Sequence, residues 1–215
     1  MRVGFQITKN KDKYKKLLSL INPLEFKGVE FCYIENDASL KNNIKGLDVL
    51  VCYKISNELF QYRSNKLKWI HIGASGIEEN LFDELIKSKV MLTNAKGINA
   101  RPVAEFIMSQ IMYFSKQFND CYKFKLNKKW TQWKLAKKTK LLSDCTLGII
   151  GYGKIGKELA KMAKAFNMRV IATRRLQKAV QKIKYVDSLH PTNDINLILK
   201  NSDFIVLSCP LTPLT

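Results

Sequence analysis

A glycine-rich segment has the residue types and spacing of a phosphate-binding turn. Gly151, Gly153 and Gly156 form a GxGxxG pattern between the apolar run "TLGIIG" and the helix-compatible stretch "KIGKELAKMAKAF". In this setting the first glycine permits a tight turn, the second lets the backbone approach a pyrophosphate, and the third lets the helix pack closely on the strand. Free N–H groups and the positive end of the helix dipole would hold the phosphates. The pattern therefore predicts a dinucleotide site.

The residues at the end of the next apolar run bear on which dinucleotide binds. An NAD-selective site usually has an Asp or Glu about 20 residues after the glycines, where it binds the ribose hydroxyls. This chain has Thr173, Arg174 and Arg175 there. An acid would repel a 2′-phosphate, whereas Thr can hydrogen-bond it and Arg can make charge-assisted contacts with it. We therefore favour NADP(H) and keep NAD(H) as the alternative, in which the arginines simply point into solvent.

The elements that must position these residues follow from alternating apolar and helix-compatible stretches, which predict parallel sheets with helices on their faces. The first series of predicted strands is "RVGFQI", "VEFCYI", "DVLVCYKI", "KWIHIG" and "VMLTNA", and the second is "TLGIIG", "RVIATR", "KYVD" and "DFIVLSC". A helix between the two series is predicted to bury a stripe formed by Val103, Phe106, Ile107, Ile111 and Phe114. The predicted fold class is α/β, with two doubly wound parallel-sheet domains at residues 1–99 and 100–215.

The charge of the chain is its largest deviation from average composition. It carries 37 Lys and Arg against 18 Asp and Glu, a net charge of +19. Such a charge can indicate a nucleic-acid partner. The lysines are spread over the whole chain, however, and the densest run, Lys123 to Lys140, lacks Arg clusters. We therefore interpret the charge as solvated surface and do not favour nucleic-acid binding. Trp130 and Trp133, within that run, are predicted to be packing anchors.

Cysteine and histidine usage gives no sign of a disulfide framework or a metal site. The five cysteines are scattered, odd in number and outside any CxxC or metal-ligand spacing with His71 or His190. We interpret them as reduced core residues of a cytoplasmic protein. His71 alternates with apolar residues in a predicted strand and is expected to be structural, while His190 is expected to lie in a loop. No apolar run reaches the roughly 18 to 20 residues needed to span a bilayer.

The order of these motifs resembles the D-isomer-specific 2-hydroxyacid dehydrogenases, the family of glyoxylate/hydroxypyruvate reductases and phosphoglycerate dehydrogenase. The matching segments are "KWIHIGASGIEE" for the substrate loop, "VMLTNAKGINARPVAEFIMSQIMYF" for the interdomain crossover, "LGIIGYGKIG" for the dinucleotide fingerprint, and "SDFIVLSCPLTPLT" for the strand and loop that follow. The resemblance covers nearly the whole chain. It implies a flavodoxin-like substrate domain and a Rossmann dinucleotide-binding domain, with hydride transfer between NAD(P) and a small 2-keto or D-2-hydroxy acid.

The resemblance also implies roles for individual residues. Ser75 and Gly76 would present backbone N–H groups to the substrate carboxylate. Lys154 and Ile155 would cover the pyrophosphate, and Cys209 and Pro210 would line the adenine or ribose side. The segment from Ala100 resembles the family's dimer-forming region, so a homodimer is expected of the full-length protein.

The family's catalytic arginine, glutamate and histidine have no counterpart in these residues, because in the family they follow the segment matched by "PLTPLT". We therefore expect no catalytic residue within the chain and interpret it as the N-terminal two-thirds of a dehydrogenase, inactive alone. Two alternatives stay open. The chain could be a non-enzymatic NAD(H)-sensing module of the corepressor kind, or a natural stand-alone domain that unfolds cooperatively.

Overall fold

The computed structural model describes residues 1–21 and 23–210. The chain forms two compact units, one from Met1 to Ile98 and one that begins at Asn99. Each unit contains a five-stranded sheet within the described residues. The predicted α/β class with mainly parallel sheets is confirmed.

The first unit has an entirely parallel sheet of order β2-β1-β3-β4-β5. Its strands are β1 Arg2–Gln6, β2 Glu30–Tyr33, β3 Val49–Cys52, β4 Trp69–Ile72 and β5 Met91–Asn94. Its α-helices are α1 Lys11–Leu18, α2 Asp37–Asn43, α3 Asn57–Gln61 and α4 Asp83–Ile86, and short 3₁₀ helices lie at Pro23–Phe26, Ile44–Gly46 and Glu78–Asn80. Leu50, Ile70 and Ile72 are fully buried, which explains why these strands read as near-continuous apolar runs.

The second unit has a mixed sheet of order β10-β6-β7-β9-β8. Its strands are β6 Thr146–Ile150, β7 Arg169–Thr173, β8 Gln181–Ile183, β9 Val186–His190 and β10 Phe204–Leu207. Its α-helices are α5 Ala100–Ser115, α6 Phe118–Leu126, α7 Gln132–Ala136, α8 Lys154–Ala165 and α9 Ile195–Lys200, with 3₁₀ turns at Leu142–Asp144 and Thr192–Asp194. Alternate residues of β7 enter different cores: Val170 and Ala172 pack in the cluster that includes α5 and α8, whereas Ile171 packs with Ile198 of α9. Both faces of β7 are therefore covered.

The predicted strand "KYVD" is only half correct, because Val186 and Asp187 belong to β9 whereas the two residues before them do not form a strand. Lys184 and Tyr185 form a turn, and Tyr185 has the left-handed φ of +68°. The turn joins β8 to β9 as an antiparallel hairpin at the sheet edge. The strand that pairs with β7 begins at Val186 and runs to His190, because its apolar residues Val186 and Leu189 are the ones buried.

The buried stripe of α5 is also different from the predicted one. Phe106 and Phe114 are 65% and 61% exposed. Ile111 is buried as predicted, and Ile107 packs half-buried against the core. The other buried side chains of α5 are mostly small, and they are Ala100, Ala104, Met108 and Ser115. Small residues let α5 pack closely against α8, so the helix turns its phenylalanines outward.

Trp130 and Trp133 are not packing anchors. They are 89% and 76% exposed, and they lie before and within the short helix α7. The surrounding segment has many lysines and few apolar residues to pack on them. Among the described residues, no helix is long and apolar enough to cross a membrane.

Candidate cofactor site

Gly151 occupies a position that only glycine fits. Its φ is +96°, and a Cβ there would lie 2.6 Å from the backbone nitrogen of Cys209. The Gly151 N–H donates to the carbonyl of Thr173 at 3.2 Å. The turn therefore depends on glycine for two reasons, the left-handed backbone and the close approach of the segment after β10.

Gly153 and Gly156 have different surroundings. Gly153 is the N-cap of α8, and a Cβ on it would have only the Gly151 carbonyl, at 4.0 Å, nearby. A Cβ on Gly156 would meet Ile149 Cγ2 at 3.1 Å. Gly153 thus keeps an open space in front of the helix, and Gly156 sets the close packing of α8 on β6, as expected of the second and third glycines of a dinucleotide fingerprint.

The first turn of α8 presents backbone donors to that open space. The first intrahelical bond runs from Lys157 N–H to the Gly153 carbonyl at 3.0 Å. Within the described part of the chain, the N–H groups of Ile155 and Gly156 have no protein acceptor. Unpaired N–H groups at a helix N-terminus are the donors that hold phosphate, so the residues present fit a pyrophosphate.

The end of β7 is tied to the glycine turn through a shared acceptor. The Thr173 carbonyl accepts from Gly151 and, at 2.7 Å, from Tyr152. Thr173 is 1% exposed, and its hydroxyl is buried without a hydrogen-bond partner among the described residues. Arg174 and Arg175 are exposed. The structure thus brings both arginines to the surface next to the turn, whereas the Thr173 hydroxyl lies beneath it.

Two residues of this turn were missed by the sequence analysis. Tyr152 is 5% exposed, and burial raises the pKa of its hydroxyl while the charge of Arg174 acts in the opposite direction. Ser208 donates from its hydroxyl to the Gly151 carbonyl at 2.8 Å. The signal for Tyr152 was its place between the first two glycines, but nothing in the sequence indicates that Ser208 reaches that carbonyl.

Cys209 and Pro210 follow β10, which pairs with β6 on the side opposite β7. The Ser208 N–H continues that pairing by donating to Ile150 at 2.8 Å. Cys209 is half-buried and Pro210 is exposed. Gly151 and Cys209 therefore meet where the strand order reverses at the carboxyl ends of the strands, the place where open α/β sheets bind ligands. Residues 211–215 of the matched segment "SDFIVLSCPLTPLT" lie outside the described residues.

In the first unit, Ser75 and Gly76 are exposed residues that follow β4. Asn94 donates to the Ser75 carbonyl at 2.6 Å, and the Ser75 hydroxyl donates to Ala95 at 3.3 Å. Their own N–H groups have no acceptor among the residues described. Glu78 lies beside them, since a Cβ on Gly76 would be 2.7 Å from its Oε2. An anion bound to these donors would require the exposed Glu78 side chain to turn away.

The two histidines are held in hydrogen bonds. His71 lies in β4 as predicted, and its Nδ1 is 2.8 Å from Thr93 Oγ1, while its structural role stays a prediction. The prediction that His190 lies in a loop is wrong. It is the last residue of β9 and 6% exposed, with Nδ1 3.1 Å from Asp194 Oδ2 and Nε2 2.9 Å from Ser188 Oγ. Pairing with β7 places it there.

All five cysteines are free, but only two belong to the core. Cys52 and Cys145 are buried, whereas Cys32, Cys121 and Cys209 are half-buried, so the expectation of core residues fails for these three. Burial raises the pKa of Cys52 to about 12. No group of three or more His, Cys, Asp or Glu side chains that could hold a metal ion occurs in the described ranges.

Comparisons with known proteins agree with this geometry. The family model described as "D-isomer specific 2-hydroxyacid dehydrogenase, NAD binding domain" matches residues 108–215, just over half of the chain. The chain belongs to this family. The resemblance found in the sequence motifs is thereby confirmed.

A glyoxylate reductase of Thermococcus litoralis is 30% identical over 178 residues, which cover 79% of this chain and 51% of that protein. The chain therefore spans about half the length of this relative. The structure of an NADPH-dependent glyoxylate/hydroxypyruvate reductase from Sinorhizobium meliloti, in complex with NADP and sulfate, matches 100% of this chain and 64% of its own with a TM-score of 0.79 and 22% identity. An NAD-complexed D-isomer specific 2-hydroxyacid dehydrogenase from Lactobacillus delbrueckii matches the same shares with a TM-score of 0.72 and 20% identity. The structural matches support the fold.

Proposed function

We propose that this chain supplies the cofactor site of an NAD(P)-dependent oxidoreductase that interconverts a small 2-keto acid and the corresponding D-2-hydroxy acid. The observation that carries the proposal is the glycine turn. Gly151, Gly153 and Gly156 each meet a separate requirement of a dinucleotide fingerprint, inside the segment matched by the family's NAD-binding model. The name of the Thermococcus relative points to glyoxylate as the first substrate to test.

The protein's own residues would bind and orient rather than exchange protons. The N–H groups of Ile155 and Gly156, with Lys154, would hold the pyrophosphate, and Cys209 and Pro210 would line the adenosine side. Ser75 and Gly76 would hold the substrate carboxylate. When bound, the nicotinamide would supply the hydride to the keto acid or accept it from the hydroxy acid. The proposal assigns no acid–base role to a described residue, because the family's catalytic residues follow the segment matched by "PLTPLT".

NADP(H) is the proposed cofactor. No carboxylate directly follows β7, and the exposed Arg174 and Arg175 would contact a 2′-phosphate, which adds two negative charges to the dinucleotide. The solved relatives include complexes with NADP and with NAD, so the choice rests on these two arginines. Thr173 is proposed to act mainly through its carbonyl, which holds the turn.

A homodimer and a cytoplasmic setting complete the proposal. Five free thiols suit a reducing compartment.

The dimer is proposed from exposed aromatic side chains on α5 and α6, and they are Phe106, Phe114, Phe118 and Tyr122. Exposed apolar patches of this kind favour a protein partner. Sedimentation equilibrium of the protein and a Phe106→Ser/Phe114→Ser variant tests it, and an unchanged mass for the two would contradict this interface.

The experiment for the main proposal is a titration with NADPH and NADH, followed by nicotinamide fluorescence, with turnover then measured on glyoxylate and hydroxypyruvate. We expect saturable binding that is weakened at least about tenfold in Gly153→Ala and kept in Gly28→Ala, which alters a glycine of the first unit. Absence of binding to either nucleotide would refute the cofactor site. Binding without turnover of any 2-keto acid by the full-length protein would instead support an NAD(P)H-sensing module.

That sensing module is the second candidate, and one observation favours it. Trp130 and Trp133 are exposed within the lysine-rich segment Lys123 to Lys140, and aromatic side chains among lysines can stack on nucleic-acid bases. A gel shift with single- and double-stranded DNA at low and high salt tests this candidate. Unchanged mobility at low salt would remove it.

A further inference from the structure

A basic groove lies beside the glycine turn in the second unit. It is formed by the outer face of α8, the end of β7 and the β8–β9 turn, with a volume of about 350 Å³. Its charged lining is Lys157, Glu158, Lys161, Arg174 and Lys184. Four cationic side chains therefore share the groove with one carboxylate.

The four cations have no carboxylate partner. Among the described residues, none of them has a carboxylate oxygen within 4.0 Å, Glu158 included. Lys164, farther along α8, provides the comparison, since it is paired with Asp187. A lysine of this helix thus takes a carboxylate where one is available. The groove keeps an excess of three positive charges that no carboxylate of the described residues neutralises at short range, so it is suited to an anionic ligand.

The groove is continuous with the glycine turn. Arg174 lines it and directly follows Thr173, whose carbonyl holds both Gly151 and Tyr152. Tyr152, the residue between the first two glycines, also lines the groove and is 5% exposed. A group bound here would lie next to the ribose position of a dinucleotide on the turn, on the side of α8.

We propose that this groove binds a phosphate monoester dianion, and that its source is the 2′-phosphate of NADP(H). Lysine ammonium groups bind phosphate as point charges, and a guanidinium can add bidentate contacts. The inference rests on the proposed function, because it takes the dinucleotide to lie on the glycine turn. It assigns cofactor selectivity to Lys157, Lys161 and Lys184 together with Arg174, rather than to the residues after β7 alone. A separate phosphorylated small molecule has the same chemistry and is the other possible source.

The test compares NADPH and NADH affinities in a Lys157→Gln/Lys161→Gln variant. Glutamine keeps the helix propensity of lysine and removes two charges. We expect the Kd for NADPH to rise about tenfold, as two nearby charges lost at a solvated site imply, with less than a twofold change for NADH. The matched control is Lys125→Gln/Lys200→Gln, which removes two exposed helical lysines of the same unit outside the groove. A Lys157→Arg/Lys161→Arg variant keeps the charge and should retain the preference for NADPH.

The outcomes separate this inference from the proposed function. If NADH binds and the groove variant changes both affinities equally, or changes neither more than the control does, the groove does not bind the 2′-phosphate. If the parent protein binds neither nucleotide, the cofactor site itself is refuted. The source of the phosphate is tested with inorganic phosphate as a competitor, because it can occupy a 2′-phosphate position without occupying the adenosine position that NADH shares. Competition with NADPH but not with NADH supports the 2′-phosphate as the source. If phosphate still binds to NADPH-saturated protein, and this binding is lost in the groove variant, the groove binds a separate phosphorylated ligand and the 2′-phosphate is overturned as the source.

Discussion

The glycine turn predicts that the substitutions Gly151→Ala and Gly153→Ala fail in different ways. In Gly151→Ala the new Cβ would lie 2.6 Å from Cys209 N and 2.9 Å from Cys209 Cα, at a φ of +96°. Both neighbours are backbone atoms, so no side-chain rotation relieves the overlap. Left-handed backbone costs a non-glycine residue roughly 1–2 kcal/mol and overpacking about 1–3 kcal/mol. The expected loss in free energy of unfolding is therefore about 2–5 kcal/mol.

Gly153→Ala has no such cost. Its φ of −98° suits alanine, and the nearest atom to the new Cβ is 4.0 Å away. The weaker N-cap costs about 0.5–1 kcal/mol, and the less flexible unfolded chain offsets a similar amount. Stability should stay nearly unchanged. The Cβ would instead stand where the pyrophosphate must approach, and loss of one charged hydrogen bond worth about 1.5–3 kcal/mol weakens binding roughly 10- to 150-fold.

The assay is urea unfolding of each variant, paired with the nucleotide titration. Gly28→Ala is the matched control, because its φ of +77° carries the backbone cost while nothing lies within 4 Å of the new Cβ. The difference between Gly151→Ala and Gly28→Ala isolates the overlap with Cys209. The reasoning is refuted if Gly153→Ala binds nucleotide like the parent, or if Gly151→Ala is no less stable than Gly28→Ala.

Further predictions concern pH, thiol reactivity and the exposed tryptophans. Hydrogen bonds from the Lys140 side chain and the Thr146 N–H hold the pKa of Asp203 below its ordinary value. The stabilisation that ionised Asp203 gives the folded state is therefore fully present above the ordinary pKa, and it is lost as the pH falls through the lower pKa of the folded state. Asp203→Asn should therefore lower the free energy of unfolding by about 1 kcal/mol at neutral pH, with a gap that closes as unfolding is followed into acid. N-ethylmaleimide followed by mass spectrometry should modify the half-buried Cys209 before Cys52, whose burial raises its pKa to about 12, and equal rates would contradict the burial. Trp130→Ala should change stability by less than about 0.5 kcal/mol, whereas Phe60→Ala, at a fully buried position, should cost about 3–5 kcal/mol in the same urea experiment.

The hydropathy pattern of a short segment was sufficient to predict an element whose own apolar residues are buried. The runs "DVLVCYKI" and "RVIATR" predicted β3 and β7 because these central strands are covered on both faces. The GxGxxG spacing placed the turn correctly between β6 and α8. Composition alone was a poor guide to burial, since Phe106 and Trp130 are strongly apolar residues that the fold leaves exposed.

Two of the errors, at α5 and at His190, share a physical cause, because each position is determined by an element that is distant in sequence. The face of α5 is set by α8, more than forty residues later, so small residues rather than phenylalanines are buried there. His190 lies in a strand because β7 pairs with it. The hairpin at Tyr185 depends on a single left-handed residue, which a hydropathy pattern does not report.

The sequence by itself determined the family, the α/β class and the position of the dinucleotide turn, because these depend on residue order and on short-range spacing. Only the tertiary structure decided why each glycine is needed, since a Cβ at Gly151 would overlap with Cys209, which is 58 residues away in sequence. It also decided which charges act together. Lysines of α8, an arginine after β7 and a lysine of the hairpin turn are scattered in sequence, and the sheet order brings them into one groove.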